Sequence, residues 1–102
     1  MLCLLTVRHL KPGAHDEFAK SWAPDRWPER LVRAYHVRHQ DDPDEVITFA
    51  FFEGTDAEID EMRDDPQWMA GEERRLRRIA PLEDDIKVAG VYEVVEEIVP
   101  GG

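Results

Sequence analysis

The chain contains no asparagine, one serine, Ser21, and one cysteine, Cys3. A single cysteine closes no internal disulfide, which suits a reducing compartment. Ser21 has no nucleophile elbow around it, which excludes a serine hydrolase. The glycines, at 13, 54, 71, 90, 101 and 102, are too scattered to assemble a Gly-rich phosphate loop. Positive charge is scarce: 13 Lys and Arg stand against 23 Asp and Glu, for a net charge of −10. That balance argues against nucleic acid, whose binding depends on basic side chains displacing counterions, and equally against anionic membrane surfaces. No apolar run approaches the ~20 residues of a membrane span. The opening Met1–Arg8 segment lacks the basic leader and small-residue cleavage site of a signal peptide, so a cytoplasmic location is expected. No internal repeat and no linker-like stretch is found.

Against these absences stand 42% hydrophobic and 35% charged residues over 102 positions, the composition of one globular domain covering residues 1–102. Leu2 to Leu10 reads as a strand ended by Lys11-Pro12-Gly13. Ala14 to Trp22 reads as a short helix, with His15, Phe18, Ala19 and Trp22 on one face. Pro24 and Pro28 forbid a longer helix, leaving an irregular crossover that carries Trp27. Leu31 to His39 and Glu45 to Glu53 form two strands joined by the acidic turn Gln40–Asp44, an antiparallel hairpin. Thr55-Asp56-Ala57-Glu58 is a capping box that opens a helix. Asp65-Pro66 marks a second helix start, with Asp65 as N-cap and Pro66 in the first turn, and this helix runs to about Ile79. Val88 to Val99 is expected as the last strand. The order β-α-β-β-α-β is that of a ferredoxin-like α+β fold with an antiparallel sheet.

An antiparallel sheet with one wet face alternates apolar and polar residues. These strands do not. Leu2 and Leu4 oppose Cys3, Leu5 and Val7; Ile47, Phe49 and Phe51 oppose Val46, Ala50 and Phe52. Both faces are built for burial, yet two modest helices cover only one. A symmetric homodimer that lays the open faces together is the simplest remedy.

In this layout the chain resembles the dimeric α/β-barrel superfamily, in particular its antibiotic-biosynthesis-monooxygenase-like branch. The resemblance rests on Val7-Arg8-His9-Leu10-Lys11-Pro12-Gly13 followed by a helix with Glu17-Phe18. It rests also on the hairpin ending Phe51-Phe52-Glu53-Gly54-Thr55-Asp56, and on Asp65-Pro66-Gln67-Trp68. It implies two sheets facing each other across a dimer, with a ligand pocket in each subunit between sheet and helices. The superfamily includes cofactor-independent monooxygenases of aromatic polyketides, haem-degrading enzymes, isomerases and members without known activity. The Asn, Trp and His of the haem-degrading members fall at Thr6, Met62 and Glu72 here. None matches, which points away from haem degradation and from Asn-assisted monooxygenase chemistry.

His36, flanked by Tyr35 and Arg38, is the candidate proton acceptor, with Tyr35 as its alternative; a structural histidine bonded within the sheet is the competing reading. Trp22 and Trp68 are candidate walls for an aromatic ligand, or else core and lid residues. Thr6 and Tyr92 are candidate hydrogen-bond donors to that ligand. No metal site is expected: His36 and His39 point to opposite faces, and His9 and His15 make at best a pair. Cys3 reads as a small core residue. The run from Glu72 to Arg78 reads as a solvated helix face, with Glu73 and Arg77 paired at i,i+4.

The leading expectation is cofactor-independent oxidation of a small, phenol-like aromatic molecule, in which the substrate anion itself reduces O₂. The alternatives are a non-catalytic small-molecule-binding or assembly module, and an isomerase or lyase of a small cyclic substrate. A cavity into which His36 reaches favours an enzyme; a filled core favours the module.

Overall fold

The computed structural model describes residues 1–101. β1 (Leu2–Leu10) is followed by α1 (His15–Ser21), β2 (Leu31–Arg38), β3 (Glu45–Phe52), α2 (Asp56–Asp64), α3 (Pro66–Ile79), a 3₁₀ turn (Ala80–Leu82) and β4 (Glu83–Glu93). The four strands form one antiparallel sheet in the order β2-β3-β1-β4. This is the ferredoxin-like α+β fold, with the second helical region divided in two at Asp65-Pro66.

Each helical start has a local cause. The Thr55 hydroxyl accepts from the Glu58 N–H, and the Glu58 carboxylate accepts from the Thr55 N–H, closing the capping box of α2. Asp65 ends α2 in an extended conformation and caps α3 by accepting from the Gln67 N–H at 2.8 Å. A proline at the next position cannot continue α2 but fits the first turn of α3. Between β3 and α2, Gly54 takes φ 139°; a Cβ there would stand 3.0 Å from an Arg30 guanidinium nitrogen. Only glycine allows both that backbone and the passage of Arg30 to Glu58, which it reaches at 2.7 Å.

The helices pack on the face that carries the even-numbered residues of β1 and β3. Leu10, Phe18, Val46 and Ile79 form one buried cluster, with Trp22 against it. Ala50, Phe52 and Ile59 form a second, packed by Leu2, Leu4, Trp27, Leu31, Ala34 and Met62. Between the two lie the polar residues of the same strand face, Thr6, Arg8 and Thr48, with Arg8 and Thr48 both buried. The opposite face presents Leu5, Val7, Tyr35, Val37, Ile47, Phe49, Phe51, Val88 and Tyr92, and among the described residues no helix packs on it.

The last strand differs from the expected Val88–Val99. It begins at Glu83, because the acidic residues meet basic partners across the ladder. Glu83 approaches the Arg8 Nε at 3.5 Å, Asp84 approaches His9 at 3.7 Å, and Lys87 bonds Glu45 at 2.7 Å. It ends at Glu93, opposite Leu2, with the Val94 N–H donating to the Met1 carbonyl. Val95, Ile98 and Val99 therefore stand exposed outside the sheet.

Candidate functional site

The alternation of β2 puts Ala34, His36 and Arg38 toward the helices and Arg33, Tyr35 and Val37 toward the open face. His36 lies under α1. Its ring centroid is 5.1 Å from His15, 5.2 Å from Phe18 and 5.6 Å from Trp22, the last two edge-on. α1 presents these three residues together because 15, 18 and 22 fall on one helical face. The His36 Nε2 is buried and has no hydrogen-bond partner. Burial, then the neighbouring His15 and Arg38, hold its pKa below the ordinary histidine value, so the ring is neutral and able to accept a proton at neutral pH.

Beside His36 in the ladder is Thr48, which also pairs with Thr6 on the other side. The Thr48 hydroxyl accepts from Arg8 Nη1 at 2.9 Å. Arg8 is 3% exposed, and its guanidinium stands 5.7 Å over the Phe18 ring. Burial lowers its pKa and the Glu83 carboxylate opposes that shift; an arginine stays charged regardless. Glu83 lies 3.5 Å from the Arg8 Nε and forms an ion pair with it. The Arg8 Nε and the His36 Nε2 are the buried side-chain nitrogens without a hydrogen bond among the described residues.

An aromatic path leads away from this seam. Trp22 meets Trp27 edge-on at 5.9 Å, and Trp27 lines an open groove of about 730 Å³. Met62, Trp68, Glu53 and the Arg30–Glu58 ion pair line the same groove. Trp68 stands 6.5 Å from Phe52, edge-on. The groove has the volume of a ligand site, yet neither His36 nor Tyr35 lines it.

Of the residues singled out from the sequence, the structure gathers His36, Trp22 and Thr6 on the inner face, with Trp68 at the groove end of that layer. Tyr35 and Tyr92 are not brought to them. Tyr35 stacks on Phe49 at 5.0 Å on the open face. Tyr92 lies across Gly90 on that face, where an added Cβ would come within 3.1 Å of the phenol ring. His39 is exposed, its Nδ1 accepting from the N–H groups of Asp41 and Asp42. Cys3 is buried, which pushes its thiol pKa up. No group of three or more potential metal ligands occurs among the described residues.

Two arginines were missed from sequence. Arg8 shares a strand face with Leu2, Leu4 and Leu10, and a charge in that apolar row was the available signal. Arg75 belongs to the run read as a solvated face, yet it is largely buried. It pairs with Glu72 at 2.8 and 2.9 Å and donates to the Trp22 carbonyl at 3.1 Å. With Arg78 on the Ala23 carbonyl at 3.0 Å, it satisfies the end of α1.

No family model matches the chain, and no curated protein does. Solved structures do. A proposed antibiotic biosynthesis monooxygenase from Chloroflexus aurantiacus J-10-fl superposes with a TM-score of 0.66 over 98% of both chains, at 13% identity. One from Bordetella bronchiseptica gives 0.67 over 93% of this chain and 97% of its own, at 11% identity. One from Nitrosomonas europaea gives 0.64 over 94% and 100%, at 9% identity. The chain shares their fold. At such identities the antibiotic-biosynthesis-monooxygenase-like fold is what is held in common, and its function here has to be argued from the side chains.

Proposed function

We propose that this protein is a monooxygenase-like enzyme that oxidises a small hydroxylated aromatic molecule directly with O₂, without a resident cofactor. The observation that carries this reading is the His36 imidazole, neutral, with Nε2 unpartnered and walled by Phe18 and Trp22. The fold is that of several proposed antibiotic biosynthesis monooxygenases, which supports the same class of chemistry.

In this reading the aromatic body of the substrate enters by the groove beside Trp27 and Trp68, and its hydroxyl lies at the polar seam. Trp22 walls the ring and Thr6 serves the seam as a hydrogen-bonding group. His36 takes the phenolic proton. The electron-rich ring then donates to O₂ at an activated CH₂ position, a C–O bond forms, and cleavage of the O–O bond releases one water and leaves a ring carbonyl. One O₂ and two ring hydrogens are consumed for each carbonyl and water formed. The protein's part is positioning, proton removal and charge stabilisation.

O₂ uptake with a panel of tricyclic phenols bearing an activated CH₂ tests this. With a consumed substrate, His36→Gln is expected to lower kcat by about 10²- to 10⁴-fold, the usual contribution of a general base. Turnover unchanged by that substitution removes the assignment.

We further propose that two copies pair through their open sheet faces, which places Tyr35 and Tyr92 at the interface rather than in the reacting centre. Tyr35, Val37, Val88 and Tyr92 are 42, 39, 42 and 48% exposed in the single chain, an apolar area that a partner sheet would cover. A second functional reading, a binding module without chemistry, is favoured by the absence of His36 and Tyr35 from the groove lining. Tight binding of panel phenols with no O₂ consumption would select it.

A further inference from the structure

The groove beside Trp27 and Trp68 carries a charge that phenol oxidation does not use. It opens where the crossover before β2, the residue after β3 and the junction of α2 with α3 meet. Trp27, Met62 and Trp68 are half-buried there, while Glu29, Glu53 and Glu61 are exposed. Five carboxylates line the groove against two arginines. Arg30 is held by Glu58 at 2.7 Å, and Asp65 is engaged as the cap of α3. Among the described residues, Glu29, Glu53 and Glu61 form no ion pair, and neither does Arg26. Even with Arg26 set against one of the three, the other two have no counter-charge.

The indoles are unmatched in the same sense. Among the described residues, the one cationic side chain lying over an aromatic ring is Arg8 over Phe18, although Arg26 and Arg30 both line this groove. The face of an aromatic ring attracts a cation, and tryptophan does so best. Carboxylates act in the same direction and repel an anion. The groove has ligand size, at about 730 Å³. An inorganic ion fits it poorly, because no three potential metal ligands come together among the described residues. A bulky, weakly hydrated cation needs no such cage.

We infer that this groove binds an organic cation: an ammonium group carried on a small aromatic body. The body rests on Trp27, Met62 and Trp68, and the ammonium is held by the indoles together with Glu53 and Glu61. The net charge of −10 attracts such a ligand from a distance. The oxidation reading brings its substrate through this groove, and on that reading the substrate is an amine-bearing phenol and not a carboxylate-bearing one. The cation preference itself belongs to the groove and needs no turnover.

Three probes of similar shape separate charge from size: 2-phenylethylammonium, 2-phenylethanol and phenylacetate. Calorimetric titration at low salt is expected to show the ammonium binding about tenfold tighter than the alcohol, with phenylacetate the weakest. Molar salt should shrink that preference, since exposed charges are then screened. Glu53→Gln combined with Glu61→Gln should remove it, and both positions are exposed, so the fold is retained. Trp68→Leu keeps an apolar wall without the ring and should weaken the ammonium more than the alcohol. Equal affinity for the three probes, or no ammonium binding at millimolar concentration, overturns the inference. A preference unchanged in the double glutamine variant, or unchanged in a folded Trp68→Leu, does so too. If Trp68→Leu does not fold, the double variant decides alone. A protein that prefers the ammonium probe but consumes no O₂ with any panel phenol keeps the cation site and loses the oxidation reading. Oxidation of panel phenols by a protein indifferent to probe charge has the reverse meaning.

Discussion

At the scale of the residue, His36 ties pH to both stability and the proposed chemistry. Its pKa is held below 6.5 in the folded chain by burial, with His15 and Arg38 adding to the shift. Between the folded value and 6.5, the unfolded chain binds more protons than the folded one. Stability therefore rises with pH across that window and is lost as pH falls through it. The melting temperature is expected to drop between pH 7 and pH 5, and His36→Gln to reduce that drop; an identical drop in the variant would exclude His36 as a source. For the reaction the same direction applies, since only neutral imidazole accepts a proton. kcat/KM for an identified substrate should rise with pH to a plateau, with a midpoint below 6.5. Phe18 joins the two aspects. It is fully buried in the core and stands against both Arg8 and His36. Phe18→Ala should cost about 3–5 kcal/mol in denaturant unfolding, as truncation of a buried aromatic does, a large fraction of the ~5–15 kcal/mol that holds a domain folded.

At the scale of the element, most boundaries follow from local chemistry. Thr55, Glu58, Asp65 and Pro66 specify where α2 starts, where it stops and where α3 begins, and each acts through its own backbone neighbours. Thr55→Ala is expected to destabilise the fold by about 1 kcal/mol in urea titration, the usual worth of an N-cap. The strand hairpin and α1 were likewise legible from hydrophobic spacing and turn residues. The last strand was not. Its acidic start, Glu83-Asp84-Asp85, reads as loop in isolation and becomes strand only beside Arg8 and His9 of β1. The apolar residues after Glu93 read as strand, yet the ladder with β1 ends at Glu93, and Val95, Ile98 and Val99 stand exposed. Arg75 was obscured for the same reason: its role depends on the end of α1, 53 positions earlier in the chain.

At the scale of the whole molecule, the sheet has one face under helices and one apolar face without them. Sedimentation at micromolar concentration should give twice the 11.9 kDa of the chain. Phe49→Glu, which puts a charge in the middle of that face beside Tyr35, should return the mass of one chain while leaving the circular dichroism unchanged. A parent protein with the mass of one chain would overturn the paired-sheet arrangement.

The amino-acid sequence by itself determined the element order, the helix caps, the two apolar sheet faces and the candidacy of His36, Trp22 and Trp68. These follow from side-chain alternation along a strand, 3.6-residue spacing along a helix and hydrogen bonds within one turn, all short-range properties. Only the tertiary structure decided which face of the sheet each candidate occupies. It separated Tyr35 and Tyr92 from His36 by the thickness of the sheet, and it placed Arg8 beside Thr48, 40 positions away. The physical reason is that burial of a charge and the pairing of an edge strand depend on partners distant in the chain. Those partners become neighbours only when the sheet has formed.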